Sequence, residues 1–145
     1  MNALPWRTVH ISPFDMNLLY FAPGMRREYI DSILARTYEQ FHVVERNYEN
    51  ALRQRNALLK KIKEGISKKE ELSFWDAKFA ECADIYGLYR EKYRDFVQAS
   101  LTGLPQFFGK YPLSFEYRSS WIDKDERQEY IIDYLKENQE RDIIT

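Results

Sequence analysis

The 145-residue sequence is poor in the residues that form disulfides, metal sites and glycine-rich phosphate loops, with one cysteine, two histidines and five glycines. It has one cysteine, Cys82, which excludes an intrachain disulfide and is compatible with a reducing compartment. Cys82 falls at a helical core position, so we expect a small buried side chain and not a nucleophile. No apolar run approaches the ~20 residues that span a bilayer, and the first residues do not resemble a signal peptide. We therefore expect no membrane contact and a cytoplasmic location.

The sequence also lacks a recognisable catalytic constellation. Its five glycines are scattered singly, so the glycine-rich phosphate loop of nucleotide-binding enzymes is missing. Glu39 and His42 form a Glu-x-x-His pair, but di-iron bundles need two such pairs. No Gly-x-Ser-x-Gly turn marks a serine nucleophile. We expect no catalytic residue and no metal ligand in this chain, and we predict that by itself it is not an enzyme.

What is present is an ordinary globular composition. Hydrophobic residues make up 44%, charged residues 31% and aromatic residues 16%, which predicts a single domain over 1–145. The formal net charge of −1 gives no whole-chain argument for nucleic acid. The charge is uneven, however, because residues 1–66 hold ten Lys/Arg against seven Asp/Glu, whereas residues 111–145 hold five against nine.

Two seven-residue repeats dominate the middle of the chain. The first predicts a helix over 38–63 and consists of Phe41, Val44, Tyr48, Ala51, Arg55, Leu58 and Ile62. Gly65 is placed to end that helix, and Ser73 is a plausible N-cap for the next. The second repeat is aromatic and consists of Trp75, Phe79, Cys82, Tyr86, Tyr89, Tyr93 and Phe96. Two such helices joined by a short polar link predict an antiparallel helical hairpin.

The flanking segments predict shorter elements. A helix is expected from about Met25, and another after Ser120 or Asp123 with a buried face formed by Tyr130, Ile131, Tyr134 and Leu135. Residues 7–11 and 113–118 alternate and indicate short edge strands, and 142–145 resembles the start of a further strand. The expected fold class is mainly α, a coiled-coil-like antiparallel hairpin with short flanking helices and those edge strands.

A polar Arg-Gln-Arg-Asn run at 53–56 lies in the middle of the first predicted long helix. An exposed helix face is the simplest interpretation, with Glu49 and Arg53 as an i,i+4 ion pair. The alternative is a stripe that contacts phosphates. Arg55 occupies a core position of the repeat, where a polar side chain fixes register at a cost in stability. Our candidate DNA-contacting residues are Arg26, Arg27, Arg53, Arg55, Lys60 and Lys61.

Several stretches together resemble the RecF family of bacterial SMC-like ATPases that act as recombination mediators. They are SPFD (12–15), PGMRREYID (23–31), YENALRQRNALLK (48–60), WDAKFAECADIYGLYREKY (75–93), LSFEYRSSW (113–121) and ERDIIT (140–145). The third is the most specific. Phe14 replaces the usual Glu of the first motif, so a nucleotide-sensing role and a capping role for Asp15 both stay open.

The resemblance implies that the chain is the helical arm inserted in an ABC-type ATPase head, with 1–23 and 111–145 at its root. ATP and Mg²⁺ would then belong to the parent protein and not to this chain. The implied partners are duplex DNA next to single-stranded gaps, a RecR-like protein, the head itself and a second copy of the protein. The alternative function is a helical adaptor that binds proteins through its tyrosine-rich face.

Overall fold

A computed structural model of the chain describes residues 20, 22–101, 115–119, 121 and 124–145. Regular structure in these residues is helical, which confirms the mainly α fold class. A 3₁₀ turn, Lys69–Glu71, precedes the third helix. The helices are α1 (Pro23–Thr37), α2 (Phe41–Lys63), α3 (Leu72–Leu101), α4 (Arg127–Glu137) and α5 (Gln139–Ile144). Within the described ranges, none of them combines the length and apolar character needed to cross a membrane.

Helices α2 and α3 form the predicted antiparallel hairpin. Phe41, at the start of α2, has its ring 5.7 Å from that of Tyr86 in α3. Tyr48, two turns later, stacks on Tyr86 at 4.3 Å. Leu58, near the end of α2, packs in one cluster with Leu72 at the start of α3. Residues later in α2 therefore contact residues earlier in α3, which shows that the two helices run in opposite directions.

The heptad pattern correctly identified the buried faces. Every member of the first repeat is buried or half-buried, and Arg55 is among the buried ones. The aromatic repeat of α3 is likewise covered except at its end, where Phe96 is 68% exposed. Buried Cys82 lies in a cluster with Ala51 and Phe79, which confirms the core position expected for it.

The connection between the two long helices tests the residues predicted to end α2 and to begin α3. Gly65 has φ +73°, and the Gly65 and Ile66 amides donate to the carbonyls of Ile62 and Lys61 at 2.9 and 2.8 Å. This is a Schellman C-cap, as the sequence predicted. Ser73, in contrast, is not the N-cap, because α3 already begins at Leu72 and the Ser73 hydroxyl donates to the Glu70 carbonyl.

The start of α2 was placed too early. The prediction began at residue 38, but Tyr38 has an extended backbone (φ −121°, ψ 112°) and ends α1. Two turn residues follow, and α2 begins at Phe41. The heptad could not show this, because its first member is Phe41 itself.

Helices α1 and α4 pack against α3, and α5 packs against α2. Ile131 and Leu135 of α4 lie in the central cluster, as predicted. This helix starts at Arg127, and its N-cap residue is Glu126, in a left-handed backbone conformation (φ 50°), and not one of the two residues expected from the sequence. Ser120 and Asp123 themselves lie outside the described residues.

Two of the expected strands are wrong where they can be compared. Residues 115–119 have irregular backbone, and the Phe115 amide bonds the Gln98 side chain instead of a neighbouring strand. Their alternation is real, but it reflects side chains that face helices. Residues 142–144 belong to α5. The expected strand at 7–11 and the turn that holds Asp15 lie outside the described residues.

Candidate nucleic-acid interface

Arg55 lies inside the molecule and joins three helices. Its side chain is 5% exposed, its Nε donates to Asp76 Oδ1 of α3 at 2.7 Å, and its Nη1 donates to Asp142 Oδ2 of α5 at 3.1 Å. A buried guanidinium is tolerated when carboxylates neutralise it with good geometry. The placement favours the register role of Arg55. The contact with DNA proposed for it from sequence stays a prediction.

The other candidates on α2 are exposed, and we call Arg53, Lys60 and Lys61 the basic stripe. Arg53 and Lys60 are seven positions apart, two helical turns, so they lie on the same side of α2. Lys60 and Lys61 have no ion-pair partner among the described residues. The stripe is therefore an exposed row of cations.

The ion pair expected between Glu49 and Arg53 is not formed. Arg53 Nη2 donates instead to the Asn50 side-chain oxygen at 3.2 Å, so its charge is not neutralised by a carboxylate. The interpretation of the run as an exposed helix face included that pair as a detail, and the exposure of Arg53 itself still fits that interpretation. Arg46 lies exposed two turns before Arg53, and sequence reasoning missed it although the same seven-residue spacing marks it.

Arg26 and Arg27 are exposed near the start of α1. Arg27 lines a cleft of about 490 Å³ together with Asp31, Arg90, Tyr117 and other side chains. The structure does not bring these two arginines into contact with the basic stripe.

A second buried ion pair forms the floor of that cleft. Arg90 of α3 binds the Asp31 carboxylate through Nε at 2.9 Å and Nη2 at 2.6 Å, and its Nη1 donates to the Tyr117 hydroxyl at 2.8 Å. The Tyr86 hydroxyl donates to the same carboxylate at 2.7 Å, and its ring lies under the Arg90 guanidinium. Burial raises the pKa of Tyr86, and the bond to Asp31 raises it further, so the phenol stays neutral at physiological pH.

Sequence reasoning missed the carboxylates that hold these arginines. Asp31 closes the PGMRREYID stretch, and the sequence assigns it no role. Asp76 lies three positions after Ser73, where the sequence indicates a capping arrangement and not an ion pair. A usable signal existed for Asp76. It neighbours a core position of its own repeat, as a partner for a charged core residue would.

The described residues offer little for other chemistry. Among them, no group of three or more His, Cys, Asp or Glu side chains could hold a metal ion. Burial raises the pKa of Cys82, which keeps it as the unreactive thiol.

Comparison with curated proteins gives a consistent set of relatives. A DNA replication and repair protein RecF from Heliobacterium modesticaldum is 32% identical over 140 residues, which cover 92% of this chain and 37% of that protein. RecF from Vibrio vulnificus is 31% identical over 142 residues, covering 97% of this chain and 37% of the relative. RecF from Erwinia tasmaniensis is 28% identical over 133 residues.

No family model matches the chain, and no solved structure matches it. The chain spans little more than a third of the length of the relatives above. The identity nevertheless runs along nearly the whole of this chain and recurs in RecF proteins of several bacteria. The chain belongs to the RecF family and corresponds to one segment of a RecF protein.

Proposed function

We propose that this chain is the helical-arm segment of a RecF-like DNA replication and repair protein, and that its basic stripe contacts the phosphates of duplex DNA. The observation that carries the proposal is the set of unneutralised cations on α2, found in a segment related to proteins named for DNA replication and repair. Cations that neutralise phosphates supply most of sequence-independent DNA affinity.

Several other surface lysines of the chain, in contrast with the basic stripe, have partners. Lys78 is paired with Glu81, Lys136 with Asp133, and Lys92 lies over the Tyr89 ring. A helix face that served only solubility would more often pair its charges in the same way. The stripe on α2 instead leaves its positive charge available to a ligand.

The remaining features of a RecF-like parent belong to the same proposal. The parent would bind ATP and Mg²⁺ in its head, close on duplex DNA at single-stranded gaps, work in the bacterial cytoplasm and meet a RecR-like protein and a second copy of itself. This segment would contribute contacts with DNA and partner proteins, and the head would hydrolyse ATP. Arg26 and Arg27, at the start of α1, would contact either the head or the same DNA.

The adaptor alternative receives less support from the packing. It requires a free tyrosine-rich face on α3, but Tyr86 is 8% exposed. Tyr89 packs against Phe41, and Tyr93 against Phe115. These rings are engaged inside the molecule, which leaves little of that face for a partner protein.

The test is fluorescence anisotropy of a labelled duplex titrated with this chain at about 50 and 200 mM salt. We expect binding that weakens with salt and a loss of affinity in Arg53→Ala/Lys60→Ala/Lys61→Ala. Counterion release predicts a decrease in the salt slope of ~0.9 for each phosphate contact removed. The control is Lys78→Ala/Lys92→Ala/Lys136→Ala, which removes the same charge from partnered lysines.

Equal losses in the two triple variants would show that only net charge matters and would contradict a stripe on α2. Absence of binding by the unmodified chain at the lower salt concentration would contradict the proposed DNA contact as a whole. Circular dichroism at 222 nm checks that each variant keeps its helices.

A further inference from the structure

A cleft of about 790 Å³ opens between the last turns of α2 and helix α5. It lies beside the buried Arg55 ion pairs, and side chains from both helices form its walls. The polar residues of its lining are Arg55, Asn56, Lys60, Lys63, Glu64, Arg141, Asp142 and Thr145. Donors therefore outnumber carboxylates in the cleft.

The lysines of the cleft, Lys60 and Lys63, are not paired with a carboxylate among the described residues. Lys63 Nζ donates to the Ile144 backbone carbonyl at 2.6 Å, a neutral acceptor that does not cancel the charge. Lys60 has no ion-pair partner within the described part of the chain. Of the two side-chain carboxylates in the lining, Asp142 is paired with Arg55 and Arg141, whereas Glu64 has no ion-pair partner among the described residues and offsets one of the positive charges. The cleft is thus a concave surface with an excess of positive charge, which concentrates anions.

Arg55 adds a donor without a partner. Its Nε and Nη1 bind Asp76 and Asp142, but its Nη2 is buried and has no hydrogen-bond partner among the described residues. A buried donor left unpaired is costly, and such groups in native proteins commonly mark a ligand or water site. Arg55 is also one of the residues that line the cleft, so this unpaired donor belongs to a side chain of the cleft wall.

We propose that this cleft binds one phosphate group, through Lys60, Lys63 and the Asn56 amide, with Arg55 at its base. Phosphate fits this donor set because its oxygens accept hydrogen bonds in several directions from lysine, amide and guanidinium groups. The phosphate comes either from a nucleic-acid backbone or from a free phosphate ion. The site extends beyond the basic stripe, because Lys63 and Asn56 are not part of it, and it does not depend on duplex binding.

The experiment is a ¹H–¹⁵N NMR titration of this chain with inorganic phosphate at constant ionic strength, with sodium chloride as the matched salt. The reporters are the Asn56 side-chain amide, the Arg55 Nε–H and the backbone amides of Lys60 and Lys63. We expect saturable shifts at these signals with phosphate and none with chloride. In Lys60→Ala/Lys63→Ala the affinity should fall at least tenfold.

The matched control is Lys78→Ala/Lys136→Ala, which removes two positive charges from paired lysines on α3 and α4. It should titrate like the unmodified chain, within twofold. Equal losses in both variants, or shifts that do not saturate, would overturn the proposal. A single Asn56→Ala variant, which changes no charge, should still weaken phosphate binding several-fold, and an unchanged affinity in it would count against the site.

A second arm identifies the source of the phosphate and separates this inference from the proposed function. If a short duplex produces the same shifts and Lys63→Ala weakens duplex binding, the cleft receives a backbone phosphate. If phosphate saturates the cleft but no duplex binds, the site takes free phosphate and the proposed DNA contact fails. If a duplex binds but phosphate gives no saturable shift, the cleft proposal fails and the stripe proposal stands.

Discussion

At the scale of single residues, the charges that matter most to this chain are buried. Arg55 and Arg90 are both less than a tenth exposed; two carboxylates, from α3 and α5, hold Arg55, and one carboxylate, from α1, holds Arg90. The net contribution of such a pair to stability is small, because burial of both charges offsets their attraction. Removal of one partner is different, since it strands the other charge in the interior.

We predict that Asp76→Ala destabilises the chain by about 3 to 5 kcal/mol, because Arg55 then lacks its closest counter-charge. The double variant Arg55→Met/Asp76→Leu should recover most of that loss, since it removes both fully buried charges and leaves only the partly exposed Asp142 without Arg55. Urea unfolding followed at 222 nm measures both. If the double variant is no more stable than Asp76→Ala, the pair does not act as a unit. If it remains folded and binds duplex normally, Arg55 has a structural role only.

At the scale of helices, the hairpin depends on two glycines in opposite ways. Gly65 ends α2 with a positive φ that other residues adopt only with strain. Gly87 is in the middle of α3, where glycine weakens a helix. A Cβ built at Gly87 would meet Arg127 Nη1 at 3.7 Å, an ordinary van der Waals contact. Arg127 is itself fixed by ion pairs to Asp84 and Glu91 of α3.

Gly87→Ala should therefore stabilise the chain by up to about 1 kcal/mol, through better helix propensity. Gly65→Ala should destabilise it by about 1 kcal/mol, because alanine at φ +73° is strained although nothing stands within 4 Å of its Cβ. Thermal unfolding of the two variants and of the unmodified chain shows whether each substitution raises or lowers the stability. A loss of stability in Gly87→Ala would show that α4 or a neighbouring segment needs closer approach than the structure indicates.

At the scale of the molecule, two buried ion-pair sites attach distant segments to one hairpin. The Asp31–Arg90 site joins α1 and Tyr117 to α3, and the Arg55–Asp76 site joins α5 to both long helices. Arg90 and Asp76 are about 21 Å apart along α3 at ~1.5 Å per residue. The aromatic core lies between them. The two sites therefore attach the flanking helices to the hairpin at two separate points along α3.

We predict that the chain alone does not hydrolyse ATP. A phosphate-binding loop is missing from its sequence, and it spans little more than a third of its RecF relatives. Release of inorganic phosphate from ATP should equal that of a mock purification, with and without duplex DNA. Turnover above that control, retained by Lys60→Ala/Lys63→Ala, would contradict the proposal that this segment contributes contacts only. The variant also guards against a signal that arises from phosphate held in the cleft.

The sequence by itself determined the existence of helices α1 to α4, the hairpin and the glycine that ends α2. These follow from periodicities of three to four residues and from backbone preferences at single positions, which are local properties. It also marked Arg55 as unusual, since a charged residue at a core position of a heptad needs a reason.

Only the tertiary structure decided what Arg55 does. Its partners lie 21 and 87 residues away, and no local pattern indicates which carboxylate reaches which guanidinium. The same holds for residues 142–144, which are helical in α5, where Asp142 binds Arg55. It holds also for Phe115 and Tyr117, whose alternation came from contact with Tyr93 and Arg90 of α3. Long-range packing and charge pairing, not local preference, settled these positions.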